Sequence, residues 1–222
     1  MKRHLVKTKD NSLTLFVPEL DEHYHSIHGA LQESQHVFIK AGLREFSAET
    51  SVNILEVGFG TALNALLTAL ELQNSGQEIF YHGLEKYPLT DEEWPQLEYA
   101  SATGNSRAEN IYKALHQAPW ESSMEVIPRF ILRKQKADLR EVKLAEEEYH
   151  LIYFDAFAPS AQEDLWTEQV FEKMYRCLMP GGLLVTYCVK GSVRRNMKAA
   201  GFEVEKIPGP PGKREMARAW KR

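Results

Sequence analysis

The 222-residue chain has the composition of an ordinary globular protein, with 43% hydrophobic and 26% charged residues, which excludes a disordered or fibrous class. Its formal net charge of −4 excludes a broadly basic surface, so any contact with nucleic acid has to be local. No apolar run approaches the ~20 residues of a membrane span, and Cys177 and Cys188 lack the CxxC spacing of a zinc site. We expect a soluble, cytoplasmic protein with reduced thiols.

The first 45 residues are expected to form a small extension. Apolar and polar residues alternate on both sides of the polar segment 9–12, which predicts a β-hairpin with Leu13, Leu15 and Val17 on one face. A helix that ends near Gly42 is predicted next, from apolar residues at helical spacing: Ala30, Leu31, Val37, Phe38 and Ala41. We expect residues 1–45 to pack on a main domain of residues 46–222, within one structural domain overall.

From residue 52 onwards, predicted strands alternate with predicted helices. The order is strand 52–57, helix 61–74, strand 79–85, helices 91–99 and 106–117, strands 130–137 and 151–155, helix 167–178 and strand 183–189. Such alternation predicts an α/β protein with a parallel sheet. Two final strands, 202–207 and 215–220, flank a loop rich in proline and glycine, which indicates an antiparallel pair at the sheet edge.

The segment 53–64 is an apolar strand that stops at a Gly-x-Gly turn and continues into a helix. Gly58 and Gly60 would let a ligand approach the backbone, and the helix presents free N–H groups and a partial positive charge. A dinucleotide fingerprint requires a third glycine where Leu63 stands. Glu56 instead fits the E/D-x-G-x-G pattern of S-adenosylmethionine (SAM) binding. The alternative is a purely structural turn.

Four of the predicted strands end in an acidic residue, namely Glu56, Glu85, Asp138 and Asp155. The carboxyl ends of parallel strands share one edge of the sheet, where α/β folds bind their ligands. Four carboxylates side by side are unfavourable without a ligand or a bound proton. Glu85 suits ribose hydroxyls and Asp138 would lie near an adenine. An acidic rim also suits a cationic sulfonium better than a pyrophosphate.

The segment Asp155-Ala156-Phe157-Ala158-Pro159 follows a fully apolar strand. It combines a carboxylate with an aromatic ring and a proline, a setting that suits a flat base. Phe157 and Pro159 are therefore candidate substrate contacts. The alternative is a structural loop in which Phe157 packs inward.

Several motifs together resemble those of a class I SAM-dependent methyltransferase: E-V-G-F-G-T, E-K-Y-P-L, A-D-L-R, D-A-F-A-P and P-G-G-L-L-V-T. More specifically, the chain resembles the methyltransferase part of the MnmC family. This resemblance rests on G-F-G-T-A-L-N, E-K-Y-P-L and D-A-F-A-P, with Tyr24-His25-Ser26, Glu33-Ser34, Leu165-Trp166-Thr167 and Lys213-Arg214-Glu215-Met216. The match runs from about Tyr24 to the C-terminus.

The resemblance implies a Rossmann-like fold with a mostly parallel seven-stranded sheet and an antiparallel C-terminal edge strand. It also implies methyl transfer from SAM to the 5-aminomethyl nitrogen of 5-aminomethyl-2-thiouridine at the tRNA wobble position. No G-x-G-x-x-G flavin motif occurs, so we expect a stand-alone methyltransferase that depends on another enzyme for the aminomethyl group. The implied cofactor-binding residues are Glu56, Gly58, Phe59, Gly60, Glu85, Lys86, Asp138 and Leu139.

Two alanines stand where the family usually has glycine. They are Ala62, in the turn after Gly60, and Ala156, after Asp155. Each adds a methyl group to a tight turn, which costs little where φ is negative and more where φ is positive. Both changes leave the expected cofactor class unchanged.

Asp155 is the candidate catalytic residue. Presenting an alkylamine in its neutral form at pH 7 costs on the order of 4 kcal/mol, and a carboxylate could orient this amine and accept its proton late. Contacts with tRNA phosphates are expected from C-terminal cations, although a solvated surface is the alternative. These cations are Arg194, Arg195, Lys198, Lys213, Arg214 and Arg218.

Other functions fit parts of this pattern. An aminopropyltransferase resembling spermidine synthase would share the sheet and the acids but would prefer decarboxylated SAM. A non-catalytic RNA-binding or partner-binding module would keep the fold alone, and the acids at the strand ends argue against it. A nicotinamide dehydrogenase is the weakest alternative, because Leu63 breaks its fingerprint.

Overall fold

Three short strands near the N-terminus form a small antiparallel sheet. The computed structural model of the chain describes residues 1–9, 12–27, 29–73 and 75–222. Strand β1 (His4–Lys7) pairs with β2 (Leu13–Val17), which pairs with β3 (Glu22–His23). The predicted hairpin is confirmed, and Leu15 and Val17 are buried. Its predicted turn includes Asp10 and Asn11, which lie outside the described residues.

The helix predicted before Gly42 is present in two parts. Helix α1 (Ala30–Ser34) continues as a π-helical stretch, Gln35–Lys40, and Phe38 of this stretch lies in the same apolar core as Leu15. A 3-10 helix, Leu43–Phe46, leads to the main sheet. The division of the chain at residue 45 stays a prediction.

The main sheet is formed by eight strands of the described chain: β4 (Ser51–Val57), β5 (Glu78–Glu85), β6 (Ser123–Ile127), β7 (Phe130–Lys136), β8 (Tyr149–Phe154), β9 (Leu178–Thr186), β10 (Glu203–Pro208) and β11 (Glu215–Trp220). Their order is β10-β11-β9-β8-β4-β5-β7-β6. Strands β4, β5, β7, β8 and β9 are parallel. The chain runs outwards from β4 to β7 and then returns to β8 on the other side of β4. Open α/β sheets bind ligands at such a reversal.

The α/β fold class with its antiparallel end is confirmed, and two details differ from the expectation. The sheet has eight strands rather than seven, because β6 adds antiparallel to β7. The C-terminal strand β11 lies one position inside the edge, antiparallel to both β9 and β10, so β10 forms the edge. Burial explains this order, because Met216, Ala217 and Ala219 of β11 are buried while β10 is exposed or half-buried along its length.

Helices cover both faces of the main sheet. They are α2 (Leu63–Leu72), α3 (Tyr99–Ala102), α4 (Ala108–Gln117), α5 (Glu168–Cys177) and α6 (Gly191–Ala199). Helices α2 and α4 share an apolar core with Ile54, and α5 and α6 share a second core with Leu55. Successive residues of a strand point to opposite faces, so the continuous apolar run in β4 requires a cover on both sides.

Several helix boundaries differ from the predicted ones. Helix α2 begins at Leu63 rather than residue 61, because Gly58, Gly60 and Ala62 have positive φ and form a turn before it; Asn74, its predicted end, lies outside the described residues. The stretch 91–99 is a 3-10 helix, Trp94–Leu97, that stops at Glu98, which has a left-handed conformation.

Helix α6 is not predicted by the sequence. Its buried residues are Val193 and Met197, one turn apart, and such a short repeat gives little helical periodicity.

In the described part of the chain, no helix is both long enough and apolar enough to cross a membrane.

Candidate active site

A cavity of about 690 Å³ opens at the carboxyl ends of the central strands. Glu85, Asp138 and Asp155, which end or follow β5, β7 and β8, line this cavity. Tyr24 and its neighbours in the N-terminal extension also line it. The cavity thus brings together three of the four predicted acids. The fourth, Glu56, does not line it.

The glycine turn after β4 lies close to two other elements. Gly58 has a φ of +87°, and a Cβ atom there would lie 2.7 Å from the carbonyl oxygen of Asp155. Gly60 has a φ of +47°, and a Cβ atom there would lie 3.1 Å from the ring of Tyr24. Both positions therefore require glycine. The turn forms a backbone cradle at the point where the sheet order reverses.

The carboxylate of Glu85 is held by the backbone beside this cradle. The N–H of Gly60 donates to Glu85 Oε2 at 2.9 Å, and the N–H of Tyr87 donates to Oε1 at 2.7 Å. Each carboxylate oxygen has a second lone pair, so Glu85 can also accept hydrogen bonds from a ligand in the cavity. Phe59 is buried and packs against Gly83 of β5, where it forms part of the same wall.

Asp138 belongs to a cluster of charges after β7. Lys86 Nζ lies 2.9 Å and Arg140 Nη2 2.6 Å from Asp138 Oδ2. The hydrogen bonds from Arg140 are the largest of the influences that lower the pKa of Asp138, so this carboxylate is ionised at neutral pH. Leu139 is buried beside it and lines the cavity.

Glu56 lies beneath the cavity rather than in its wall. Its side chain is 1% exposed, and it accepts hydrogen bonds from Asn64 Nδ2 and the Tyr81 hydroxyl, both at 2.8 Å. Burial raises the pKa of Glu56 well above its ordinary value. The expected direct contact between Glu56 and a ligand is therefore corrected, because both carboxylate oxygens face protein donors inside the core.

Asp155 faces the cavity at the end of β8. The side chain of Asn64, in the first turn of α2, donates from Nδ2 to Asp155 Oδ2 at 2.9 Å. Burial raises the pKa of Asp155 to about 7. The hydrogen bond from Asn64 and the charge of Lys213 oppose this rise, and the charge of Glu33 adds to it. A carboxylate with such a pKa can exchange a proton near neutral pH.

Aromatic rings enclose the part of the cavity around Asp155. The ring of Phe157 meets Tyr24 edge to face, with 5.0 Å between the ring centroids. The hydroxyl of Tyr187 donates to the carbonyl oxygen of Ala156 at 2.9 Å. Phe157 and Tyr187 both line the cavity, whereas Pro159 does not. A flat ring would find an apolar wall here with a carboxylate beside it.

Lys213, one of the cations predicted to contact tRNA, lies in the cavity wall. Its ammonium forms an ion pair with Glu33 Oε1 and lies 4.0 Å from the centroid of the Tyr187 ring. Glu33 is buried, and its Oε2 accepts a hydrogen bond from the N–H of Ser26 at 2.8 Å. The C-terminal loop and helix α1 therefore meet at the cavity.

The other predicted cations lie outside the cavity wall. The side chains of Arg195, Lys198 and Arg214 are exposed. Arg194 Nε donates to the carbonyl oxygen of Val189 at 3.2 Å. Arg218 forms ion pairs with two glutamates, Glu45 and Glu205.

The two alanines that replace family glycines differ in conformation. Ala62 has a φ of +59° and a ψ of +17°, the left-handed region that favours glycine. Its methyl group is fully buried. Ala156 has no positive φ. Of these two alanines, Ala62 alone therefore has a strained backbone conformation.

Sequence reasoning gave no role to three residues of this site, namely Asn64, Glu33 and Tyr187. Asn64 and Glu33 occur in the motifs that carry the resemblance. Asn64 is also one of the few polar residues in an apolar helix, and this feature could have indicated a role in the site. Tyr187 follows a buried strand without any distinguishing pattern. Its position depends on the packing of distant segments.

Residues 120–222 match the family described as S-adenosyl-L-methionine-dependent methyltransferase. The chain is also similar to the tRNA 5-methylaminomethyl-2-thiouridine biosynthesis bifunctional protein MnmC of two bacteria. It is 30% identical to the protein of Cupriavidus metallidurans, over 93% of this chain and 32% of the relative, and 33% identical to that of Chromobacterium violaceum, over 89% of this chain and 32% of the relative. The resemblance to the methyltransferase part of the MnmC family is confirmed. This chain spans about a third of the length of these MnmC proteins.

Two solved structures share the fold of this MnmC-like chain. MNMC2 from Aquifex aeolicus has a TM-score of 0.78 and 23% identity, and the match covers 98% of this chain and 70% of that one. A probable spermidine synthase from Corynebacterium glutamicum has a TM-score of 0.53 and 18% identity, over 98% of this chain and 75% of that one. At these identities the likeness concerns the fold alone.

Proposed function

We propose that this chain transfers a methyl group from SAM to the 5-aminomethyl nitrogen of 5-aminomethyl-2-thiouridine at the wobble position of tRNA. The observation that carries this proposal is one cavity with two halves. The cofactor half contains the glycine cradle and Glu85. The acceptor half contains Asp155 among aromatic rings. The names of the MnmC relatives give the nucleoside class.

The residues around the glycine turn fit SAM. The backbones of Gly58 and Gly60 line the cavity, so a ligand there would contact main-chain atoms. Glu85 would accept hydrogen bonds from the ribose hydroxyls, and Asp138 with Leu139 would border the adenine. When bound, SAM supplies a methyl group on a cationic sulfur.

Asp155 would hold the acceptor amine. The amine nitrogen forms the new N–C bond as the C–S bond breaks, so that sulfur becomes neutral and the nitrogen has to lose one proton. Asp155 can accept this proton, since burial raises its pKa to about 7. Asn64 orients the carboxylate through the 2.9 Å hydrogen bond to Oδ2. Most of the rate enhancement would then come from alignment of nitrogen with the methyl group.

The tRNA backbone would lie outside the cavity. The exposed side chains of Arg195 and Arg214, with Arg194 nearby in sequence, are the proposed phosphate contacts, which would act locally on a chain of negative net charge. A cytoplasmic location and a second enzyme that supplies the aminomethyl group form part of this proposal.

Nucleoside analysis tests the proposal. The protein is incubated with methyl-labelled SAM and tRNA from cells that lack this modification, and the tRNA is then digested. We expect the label in the 5-methylaminomethyl nucleoside. Unlabelled tRNA would contradict the proposal. A parallel reaction with decarboxylated SAM tests the aminopropyltransferase alternative, which predicts an aminopropyl group on the acceptor.

A further inference from the structure

The ion pair between Lys213 and Glu33 is a built feature of the acceptor half of the cavity. Glu33 is 7% exposed and is fixed by the N–H of Ser26, 2.8 Å from its Oε2. The ammonium of Lys213 is held by Glu33 Oε1 and by the face of Tyr187. Both charged residues line the cavity together with Asp155. A lysine that only contacts phosphates on an exposed surface does not need such an ion pair and aromatic contact.

We propose that Lys213 and Glu33 recognise the Watson–Crick edge of the acceptor pyrimidine and select uracil over cytosine. This inference rests on the proposed function, because it assigns the contacts of the base whose substituent reaches Asp155. The site is the part of the cavity wall formed by Lys213, Glu33 and Tyr187.

The ion pair and the edge of uracil have complementary orders of hydrogen-bond donors and acceptors. An ammonium only donates hydrogen bonds, and an ionised carboxylate only accepts them. The ion pair therefore presents a donor beside an acceptor. Uracil presents the O4 acceptor beside the N3–H donor, which complements this order. Cytosine presents an N4 amino donor beside the N3 acceptor, which opposes it at both positions.

The position of the aminomethyl group agrees with this arrangement. The substituent is attached to C5, next to the carbon that carries O4. A base whose amine reaches Asp155 therefore has O4 on the side of the ring nearest the amine. Lys213 is close enough to Asp155 for its charge to lower the pKa of that carboxylate. The same residue can serve O4 while the ring lies between aromatic side chains, as is typical of extruded bases.

The substrates for the test are two anticodon stem–loops that differ only in carrying 5-aminomethyluridine or 5-aminomethylcytidine. The measured quantity is kcat/KM for each, and the ratio reports recognition of the base. The ratio also cancels any change in the pKa of Asp155, which affects both substrates equally. We expect the wild type to prefer the uridine by about 10- to 100-fold, the range of one or two charge-assisted hydrogen bonds.

Two variants remove one partner each. Lys213→Met keeps most of the length of the lysine side chain without the donor, and Glu33→Gln keeps the shape of the glutamate side chain without the charge. Each should lower the uridine preference by about tenfold or more, with SAM affinity unchanged by calorimetry. Lys206→Met is the matched control, because it removes an exposed cation of β10 that pairs with Glu215 of β11. It should keep the ratio.

Arg214→Gln separates base recognition from phosphate contact. Loss of a phosphate contact weakens binding of both stem–loops equally and flattens the salt dependence of KM. We expect this result for Arg214→Gln and not for Lys213→Met. The inference is overturned if both Lys213→Met and Glu33→Gln keep the wild-type ratio, or if Lys213→Met flattens the salt dependence.

The rates of the wild-type protein on the two stem–loops distinguish failure of this inference from failure of the proposed function. Methylation of the uridine stem–loop without preference over the cytidine one would overturn the inference and leave the proposed function intact. Methylation of neither would overturn both. Should one of the two variants fail to fold in a thermal unfolding experiment, the ratio of the other decides.

Discussion

Asn64 Nδ2 donates hydrogen bonds to two carboxylates, Asp155 Oδ2 at 2.9 Å and Glu56 Oε1 at 2.8 Å. One amide group thus joins a buried acid below the cavity to an acid inside it. Two neighbouring carboxylates in the protein interior disfavour simultaneous ionisation. The raised pKa values of both groups follow from burial first, and the charge of Asp155 adds to the rise at Glu56. This arrangement keeps Asp155 in a fixed orientation with a proton affinity suited to its proposed role.

Glu85→Ala should weaken SAM binding by about 1–3 kcal/mol, because the ribose hydroxyls lose a charged acceptor. Calorimetry measures this change, and thermal unfolding checks that the fold is retained. Glu56→Gln is the contrast. Its side chain faces Asn64 and Tyr81 in the core, so SAM affinity should change much less. Equal affinities of the wild type and Glu85→Ala would remove Glu85 from the cofactor site.

The fold and the cofactor half of the site could be predicted because their signals are local. The apolar strand before Gly58, the glycine turn and the acid at Glu85 lie within about 30 residues of each other, and the parallel topology brings their ends together. The direction in which Glu56 points could not be predicted in this way. The direction of the Glu56 side chain depends on Tyr81 and Asn64, which contact it only in the folded protein.

The acceptor half depends on contacts between distant segments. Glu33 and Lys213 lie 180 positions apart and meet only when the C-terminal loop packs beside helix α1. A cation in a charged tripeptide resembles any surface lysine, so the sequence indicated phosphate binding. The order of the two C-terminal strands has a similar cause. Burial of β11 between β9 and β10 is a property of the assembled sheet.

Ala62→Gly should be more stable than the matched control Ala156→Gly by about 1–2 kcal/mol, the cost of a non-glycine residue in the left-handed region. Both variants lose a buried methyl group and gain backbone entropy in the unfolded chain, and these two effects are common to both. Only Ala62→Gly also relieves a positive φ. Urea unfolding of both variants measures the difference, and equal losses of stability would contradict the assigned strain.

Asp155→Asn should change the pH dependence of stability. The pKa of Asp155 rises from 3.8 to about 7 on folding, so the folded state holds the proton more tightly than the unfolded state. For such a group the stabilisation is fully present below the unfolded pKa and is lost as pH rises through the folded pKa. The wild type should therefore lose about 2–3 kcal/mol relative to Asp155→Asn between about pH 5 and pH 8. Urea unfolding at several pH values measures this, and a constant difference would show that Asp155 titrates normally.

The most direct test of the account is single-turnover methyl transfer by the wild type and Asp155→Asn, with SAM bound in advance and undermodified tRNA added. Asparagine keeps the size of the side chain and removes the charge and the proton acceptor. We expect SAM affinity, measured by calorimetry, to change little, while the transfer rate falls by roughly 10²- to 10⁴-fold. Transfer at the wild-type rate by Asp155→Asn would contradict the assignment of Asp155 as the residue that binds the amine and accepts its proton.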